Sequence, residues 1–316
     1  MNWNLPLRSL TLALPVLLLA ATDISADASR QIAITFDDAP RDAGPFQDET
    51  QRTDALIDAL AKGRVEGAMF FATTRNLEAR GEEGEARLKR YVEAGHVLAN
   101  HSHAHGSANR IPAEDFLADV SFAQERLAGY PGNTPYFRFP FLNEGDTEEK
   151  RDAIRGGLDA LGLKQGYVTI DNYDWYLQAL FDEAVRTDAP IDLDAWRGIY
   201  VEVLMAAVNH YDAMALRTLD RSPAHVLLLH ENDLAALFID DLTAALRAVG
   251  WEIIPALEAY EDPIAERAPD TLLLGQGRVA ALAAEAGTPG RELRHGWEDE
   301  DELRKLLEQR GLLPAQ

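Results

Sequence analysis

An α/β fold, most simply a (β/α) barrel, is the architecture this sequence predicts. Short apolar, β-branched runs alternate along the chain with segments of helical periodicity, the pattern of parallel βαβ units. The 316 residues can close on one barrel-sized core. Acidic residues, histidines and an arginine collect just past successive apolar runs, at the strand ends that form the active face of a barrel. An open doubly wound sheet is the structural alternative, and no short-period repeat is visible.

The first strand ends in Ile32-Ala-Ile-Thr-Phe-Asp37-Asp38-Ala-Pro40. A helix follows over Asp54 to Lys62, with apolar residues at helical spacing and Gly63 as its stop. Strands are expected at Val65 to Ala72, His96 to Asn100, Tyr136 to Phe139, Gly166 to Ile170, Val226 to Leu229 and Trp251 to Ile254. Helices are expected at Gly84 to Ala94, at Pro112 to Leu127 with Pro where a missing N–H costs nothing, and at Asp146 to Leu161. A long connection from Asp171 to Ala224 carries a helix over Leu193 to Leu219, and Leu234 to Val249 is amphipathic. Beyond Tyr260 the pattern decays. Leu272 to Ala286 and Glu298 to Gln309 read as helices of an appendage that packs on the barrel or is partly mobile, without catalytic residues, and His295 as a surface residue.

Acidic residues outnumber basic ones 53 to 30, a net charge of −23, which argues against a nucleic-acid partner. Cysteine is absent, so a transition-metal site must use His and carboxylate. At the N-terminus Arg8, an apolar run from Leu10 to Ala21 and small residues at Ser25-Ala26 read as a cleavable export signal rather than a retained anchor. The expected organisation is a signal peptide over 1–26, a barrel over 27–260 and a helical C-terminal appendage over 261–316. A secreted chain without cysteine fits a bacterial periplasm or exterior.

Asp37 and Asp38 repel each other unless a proton or cation lies between them. His101 and His105, four residues apart, would face the same way on one turn of helix and can grip a cation, with His103 pointing elsewhere. With Asp38 they form a His, His, carboxylate set that leaves positions open for water and substrate. Arg138, among aromatics, needs an anion if buried, though a purely structural ion pair would satisfy it. Asp171, Asp174-Trp175 and His230 follow further strands.

Five short motifs together resemble the polysaccharide deacetylase family, carbohydrate esterase family four, across about residues 30 to 257. They are Thr35-Phe36-Asp37-Asp38, His101-Ser-x-x-His105, Arg138-x-Pro140-Phe141, Asp171-x-x-Asp174-Trp175 and Leu228-x-His230. The resemblance implies a distorted (β/α) barrel holding one divalent metal, zinc first with Co2+ or Ni2+ as alternatives, on Asp38, His101 and His105. It implies Asp37 as general base, oriented by Arg138, and His230 as general acid, oriented by Asp171. Trp175 and Leu228 would wall an acetyl pocket, and the Phe141 N–H would donate to the oxyanion. The implied activity is removal of N-acetyl groups from N-acetylglucosamine residues of an acetylated glycan, peptidoglycan or chitin-type. Another amide or O-acetyl ester hydrolase, or a silent glycan-binding protein, are the competing expectations.

Two departures bear on the substrate. Phe141-Leu142 stands where the family more often has Tyr-Gly, and Glu231-Asn232 follows His230 in place of the commoner Asp. Tyr173, Trp175, Tyr176 and Trp196, in and beside the long insert, are candidates to stack on sugars, with core packing the reading for Trp196.

Overall fold

β1 (Arg30–Ala39) is the strand on which the others assemble: its residues from Ile32 to Asp37 are buried, and it pairs with three neighbours. The computed structural model describes residues 1, 30–187, 190–272 and 275–314. The expected signal peptide falls, but for Met1, outside the described residues. In chain order there follow α1 (Glu49–Lys62), β2 (Met69–Ala72), α2 (Thr74–Glu93), β3 (Val97–Asn100), α3 (Ala113–Leu127), β4 (Asn133–Phe137), α4 (Glu148–Ala160) and β5 (Lys164–Gln165). Then come α5 (Asp174–Arg186), α6 (Leu193–Leu219), β6 (His225–His230), α7 (Asp233–Ala248), β7 (Trp251–Ile253), α8 (Ala256–Ala259), α9 (Arg278–Glu285) and α10 (Glu300–Gln309).

All pairings are parallel, in the order β5-β4-β3-β2-β1-β6, and β7 joins the N-terminal part of β1. The sheet curls and nearly closes. Beyond β5, which pairs with β4, the same stretch reaches Ile170, which bridges to Leu227 of β6. One short segment thus serves two neighbours, so the strand expected at 166–170 is split and the barrel is distorted. Gly166 is where it crosses: a Cβ there would lie 2.5 Å from the Phe71 ring. This closure excludes the open doubly wound alternative.

Helix ends follow local chemistry. Asp48 and Gln51 form a reciprocal capping box on α1, and Thr147 caps α4. The helix expected from Gly84 begins ten residues earlier, with a break at Gly81, where φ is 54°. α5 lies inside what reads as connection, and its Leu177, Leu180, Phe181 and Ala184 have the spacing of a buried helical face. Trp196 is buried edge-on to Phe181, in the core as expected. Of the two readings of the C-terminal segment, the structure shows the packed one: α9 packs on α6, and Leu303, Leu306 and Leu307 of α10 join the main core. Among the described residues no helix is long and apolar enough to cross a membrane.

Phe70 is sandwiched between Phe36 at 4.8 Å and Tyr91 at 4.0 Å and has no exposed surface. Phe70→Ala is expected to lower the unfolding free energy by about 3–5 kcal/mol, the usual cost of emptying such a site. Urea unfolding measures it, and a loss below about 1 kcal/mol would mean that the site collapses around the gap.

Candidate active site and metal centre

The two carboxylates ending β1 reach one site because the backbone turns between them. Asp38 adopts φ 68°, a conformation that costs energy outside glycine, and the register with β2 shifts between Phe36 and Ala39. Asp37 is buried and accepts from Arg138 Nη1 at 2.6 Å. Asp38 Oδ1 lies 3.2 Å from His105 Nε2 and 3.7 Å from His101 Nε2. Burial pushes the Asp38 carboxyl up, but the charges of His230, His105, His101 and Arg41 outweigh it and hold the group at about 2.

His101 and His105 do meet, with ring centroids 4.9 Å apart, but no helical turn carries them. They lie on an irregular loop with positive φ at Ser102 and His105. Side chains hold its shape: Asn100 accepts from the Ser102 N–H, Ser102 from the His105 N–H, and Asp119 of α3 from the N–H groups of His103 and Ala104. Such a loop cannot be read from His spacing alone. His103 turns away, to Thr74 and the Phe122 ring. His101 Nδ1 lies 2.9 Å from the Arg138 carbonyl, which fixes the N–H there and leaves Nε2 as a donor atom facing Asp38. Burial and the neighbouring His101 lower the His105 pKa to about 4, despite Asp38 and Asp37, so its ring is neutral as a metal ligand must be.

The donor atoms of Asp38, His101 and His105 all lie within 4.8 Å of one another. A four-coordinate cation with bonds of about 2.0–2.2 Å has ligand atoms at comparable separations, so this set fits a divalent transition metal.

Arg138 is buried and fully engaged. Besides Asp37, it donates to Thr35 Oγ1 at 2.9 Å, the Gly166 carbonyl at 2.8 Å and the Tyr260 hydroxyl at 3.0 Å, with the guanidinium 3.8 Å over the Phe71 ring.

His230 requires a correction. Its Nδ1 lies 2.7 Å from Asp174 Oδ1, and its backbone N–H donates to Asp174 Oδ2 at 2.8 Å. The orienting carboxylate is therefore Asp174, not Asp171. The turn after Ile170 makes Asp174 the first residue of α5, where a negative charge is favoured, and brings it beneath His230. Burial opposes a charge on His230, but Asp174, by charge and hydrogen bond, together with Asp38 raises its pKa to about 9. Asp171 instead bonds the Asn172 N–H and, at 3.4 Å, the Gln276 side chain. Burial, first, and the nearby Glu298 push the Asp171 carboxyl well above the ordinary carboxylate range.

A cavity of about 490 Å³ gathers Asp37, Asp38, His101, His105, Asp171 and His230, with Phe141, Leu228 and Trp175 in its wall. Trp175 is 40% exposed and packs on Tyr173, whereas Phe141, 56% exposed, sets its ring against His105. Glu231, buried, pairs with Arg87 and Tyr91 and accepts from the Arg41 N–H. Asn232 caps α7 and donates to Asp174. The C-terminal segment, read as an appendage without catalytic residues, adds Gly275 and Arg294 to the cavity wall and Gln276 beside Asp171. Arg41, Tyr260 and these tail residues carry no motif signal and were not foreseen.

Asp38→Asn or His105→Gln is expected to lower Zn2+ or Co2+ affinity by more than the roughly 10–100-fold that losing an outer partner costs. Metal content after dialysis at fixed free metal measures it, and wild-type occupancy in both variants would remove these residues as ligands.

Residues 25–160 match the family model described as polysaccharide deacetylase, a stretch that takes in the first three motifs. A peptidoglycan-N-acetylglucosamine deacetylase of Bacillus cereus is 28% identical over 103 residues, 32% of this chain and 33% of that protein. The chain thus aligns with about a third of the length of that curated relative. Among solved structures, a mutant of a CE4 family pseudoenzyme with restored activity aligns at TM-score 0.50 and 18% identity, over 72% of this chain and 66% of that one. The wild-type pseudoenzyme, from Bacillus anthracis, gives TM-score 0.50 and 16% identity over 72% and 64%. At these identities the structural likeness speaks to the fold alone.

Proposed function

From a chain that resembles the polysaccharide deacetylase family, we propose a metal-dependent hydrolase that removes the N-acetyl group of N-acetylglucosamine residues in a glycan, peptidoglycan or chitin-type, and releases acetate. One observation carries this reading: three metal-donor atoms, an arginine-held carboxylate and a carboxylate-held histidine converge on one cavity. The reading includes export, with residues 1–26 as the signal.

A divalent cation, zinc or in its place cobalt or nickel, held by Asp38, His101 and His105 would supply the Lewis acidity that activates water and polarises the acetamide carbonyl. Arg138 engages Oδ1 of Asp37 and leaves Oδ2 to take the proton of the attacking water. The Phe141 N–H is the protein donor to the oxyanion that forms. His230, with Nδ1 committed to Asp174, offers Nε2–H to the departing nitrogen, without which the C–N bond does not break. Leu228 and Trp175 wall the acetyl group, and the exposed Trp175 ring, with the half-buried Tyr173 beside it, offers a stacking face to a sugar.

Acetate release from chitooligosaccharides and peptidoglycan fragments, against acetylated xylan and small amides, tests the reading; preference for the latter two would overturn it. Asp37→Asn and His230→Ala are each expected to cut kcat by at least about 10²–10⁴-fold, the usual contribution of a general base or acid, with metal content unchanged. Full turnover in either variant would remove that residue from the scheme.

The pH profile separates the roles further. His230 must be protonated to act, and its pKa of about 9 means that activity is present at neutral pH and lost as pH rises through that value. A cation beside Asp38 offsets part of what Asp38 contributes, so the limb falls at or below 9. Asp174→Asn removes both the charge and the charge-assisted bond, so the alkaline limb of kcat/KM should move to lower pH. An unmoved limb would mean that another group sets it.

A further inference from the structure

Each residue from His230 to Asp233 is committed to a partner, and two of those partners are buried arginines that the reaction above does not use. His230 and Asn232 hold Asp174. Glu231 Oε1 accepts from Arg87 Nη2 of α2 at 2.6 Å, and Asp233 Oδ1 pairs with Arg52 Nη1 of α1 at 3.3 Å. The same two arginines reach across to the backbone just past Asp38. Arg87 Nη1 donates to the Arg41 carbonyl at 2.9 Å, and Arg52 Nη2 donates to that carbonyl at 3.1 Å and to the Asp42 carbonyl. Each guanidinium therefore bridges the loop of a metal-donor carboxylate to the turn that follows His230. None of these four charged residues is more than 3% exposed, and none lines the main cavity.

Further contacts join the two segments directly. Glu231 Oε2 accepts from the Arg41 N–H at 2.6 Å, and the Glu231 N–H donates to the Asp37 carbonyl at 3.3 Å. Gly44 lies so close over Asp233 that a Cβ there would collide with the carboxylate. The loop needs such holding. Asp38 has φ 68°, a conformation that persists only where the surroundings over-determine it. Stability is a poor account of two buried ion pairs, because desolvation offsets most of their attraction. Their directional bonds, by contrast, fix whatever they grip. Arg87 holds Thr53 Oγ1, the Arg41 carbonyl and Glu231 from three separate nitrogens, a spread that the single nitrogen of a lysine lacks.

We infer that the Arg87–Glu231 and Arg52–Asp233 pairs are positioning residues, which clamp the backbone of 38–42 to the turn after His230 and so keep Asp38 in place against His101 and His105. The clamp acts on both separations that matter in the site, from Asp38 to the two imidazoles and from the metal set to His230. The inference rests on the metal-centre reading and deepens it by assigning four residues that lie outside the main cavity. A change in either pair is felt as weaker metal binding, although no ligand atom has been touched.

The test compares Glu231→Gln, Arg87→Lys and Asp233→Asn with the wild-type chain, each loaded with Co2+, by following metal occupancy as buffered free Co2+ is lowered. Glutamine keeps the size of Glu231, but its amide NH2 must face one of the three donors that the carboxylate now accepts. Lysine keeps the charge and loses the fork, and so covers the case where a neutral substitution fails to fold. Leu158→Ala, in the separate apolar cluster with Phe116 and Ile154, is the control for lost stability alone. The three variants are each expected to bind Co2+ about 10–100-fold more weakly, the usual cost of losing an outer partner. At saturating metal kcat should fall while KM stays, the pattern of an interaction that matters only in the transition state. Leu158→Ala should unfold at lower urea and keep the wild-type Co2+ affinity. Wild-type affinity in all three variants, or an equal loss in Leu158→Ala, overturns the inference. Acetate release is followed in parallel: its absence from the wild-type protein on every glycan, with the affinity losses standing, sinks the deacetylase reading and leaves the clamp in place.

Discussion

Arg138 is the residue on which site and barrel both depend. Its guanidinium is only 1% exposed, and a charge in that position is costly unless every N–H finds an acceptor. Here four acceptors come from three parts of the chain. Asp37 and Thr35 belong to β1, Gly166 to the crossing segment, and Tyr260 follows α8. The Arg138 carbonyl also fixes the ring of His101. The Asp37 carboxyl, the His101 ring and the closure of the sheet thus share one buried arginine. Removing its side chain would leave the buried Asp37 carboxyl without its partner, a larger loss than the interaction itself contributes.

The other flank of the cavity uses the opposite polarity. There a buried carboxylate, Asp174, holds a histidine and keeps it cationic. The residues that follow His230 steady this arrangement: Asn232 donates to Asp174 while capping α7, and Glu231 anchors the loop of Arg41 through Arg87 and Tyr91. Burial alone would work against the charge on His230, and the surrounding hydrogen bonds on Asp174 are what hold the pair together in the cavity.

The parts of this structure that could be read in the chain are those fixed by local periodicity. β1, β3, β6, α6 and α7 lie within a residue or two of expectation because apolar spacing and Gly or Pro boundaries decide them. The metal set was legible because Asp38 closes the first apolar run and His101 and His105, four residues apart, lie just past the third. Three things were not. The choice between Asp171 and Asp174 depends on where α5 begins, and both residues follow the same strand. The His101–His105 approach is made by positive φ values and Asp119, a residue on another helix, rather than by a helical turn. Tyr260, Arg41 and Arg294 reach the site through tertiary packing, for which no spacing rule exists.

The C-terminal segment shows why an imperfect barrel still makes a closed site. Between β4 and β6 the crossing stretch has too few sheet bonds to fill its own ladder, and unpaired buried backbone is expensive. The tail supplies the missing partners. The Arg278 N–H donates to the Val168 carbonyl at 2.7 Å, its guanidinium reaches Gln165 and the carbonyls of Ile264 and Ala265, and it lies 3.9 Å over the Tyr167 ring. Gly277 permits that approach, since a Cβ there would stand 2.8 Å from the Val168 oxygen. The segment that seals the barrel is the same one that carries Gln276 to Asp171 and Arg294 to the cavity wall. Sequence changes in the tail are therefore felt at two places at once, in the stability of the crossing strand and in the shape and charge of the surface that meets the substrate.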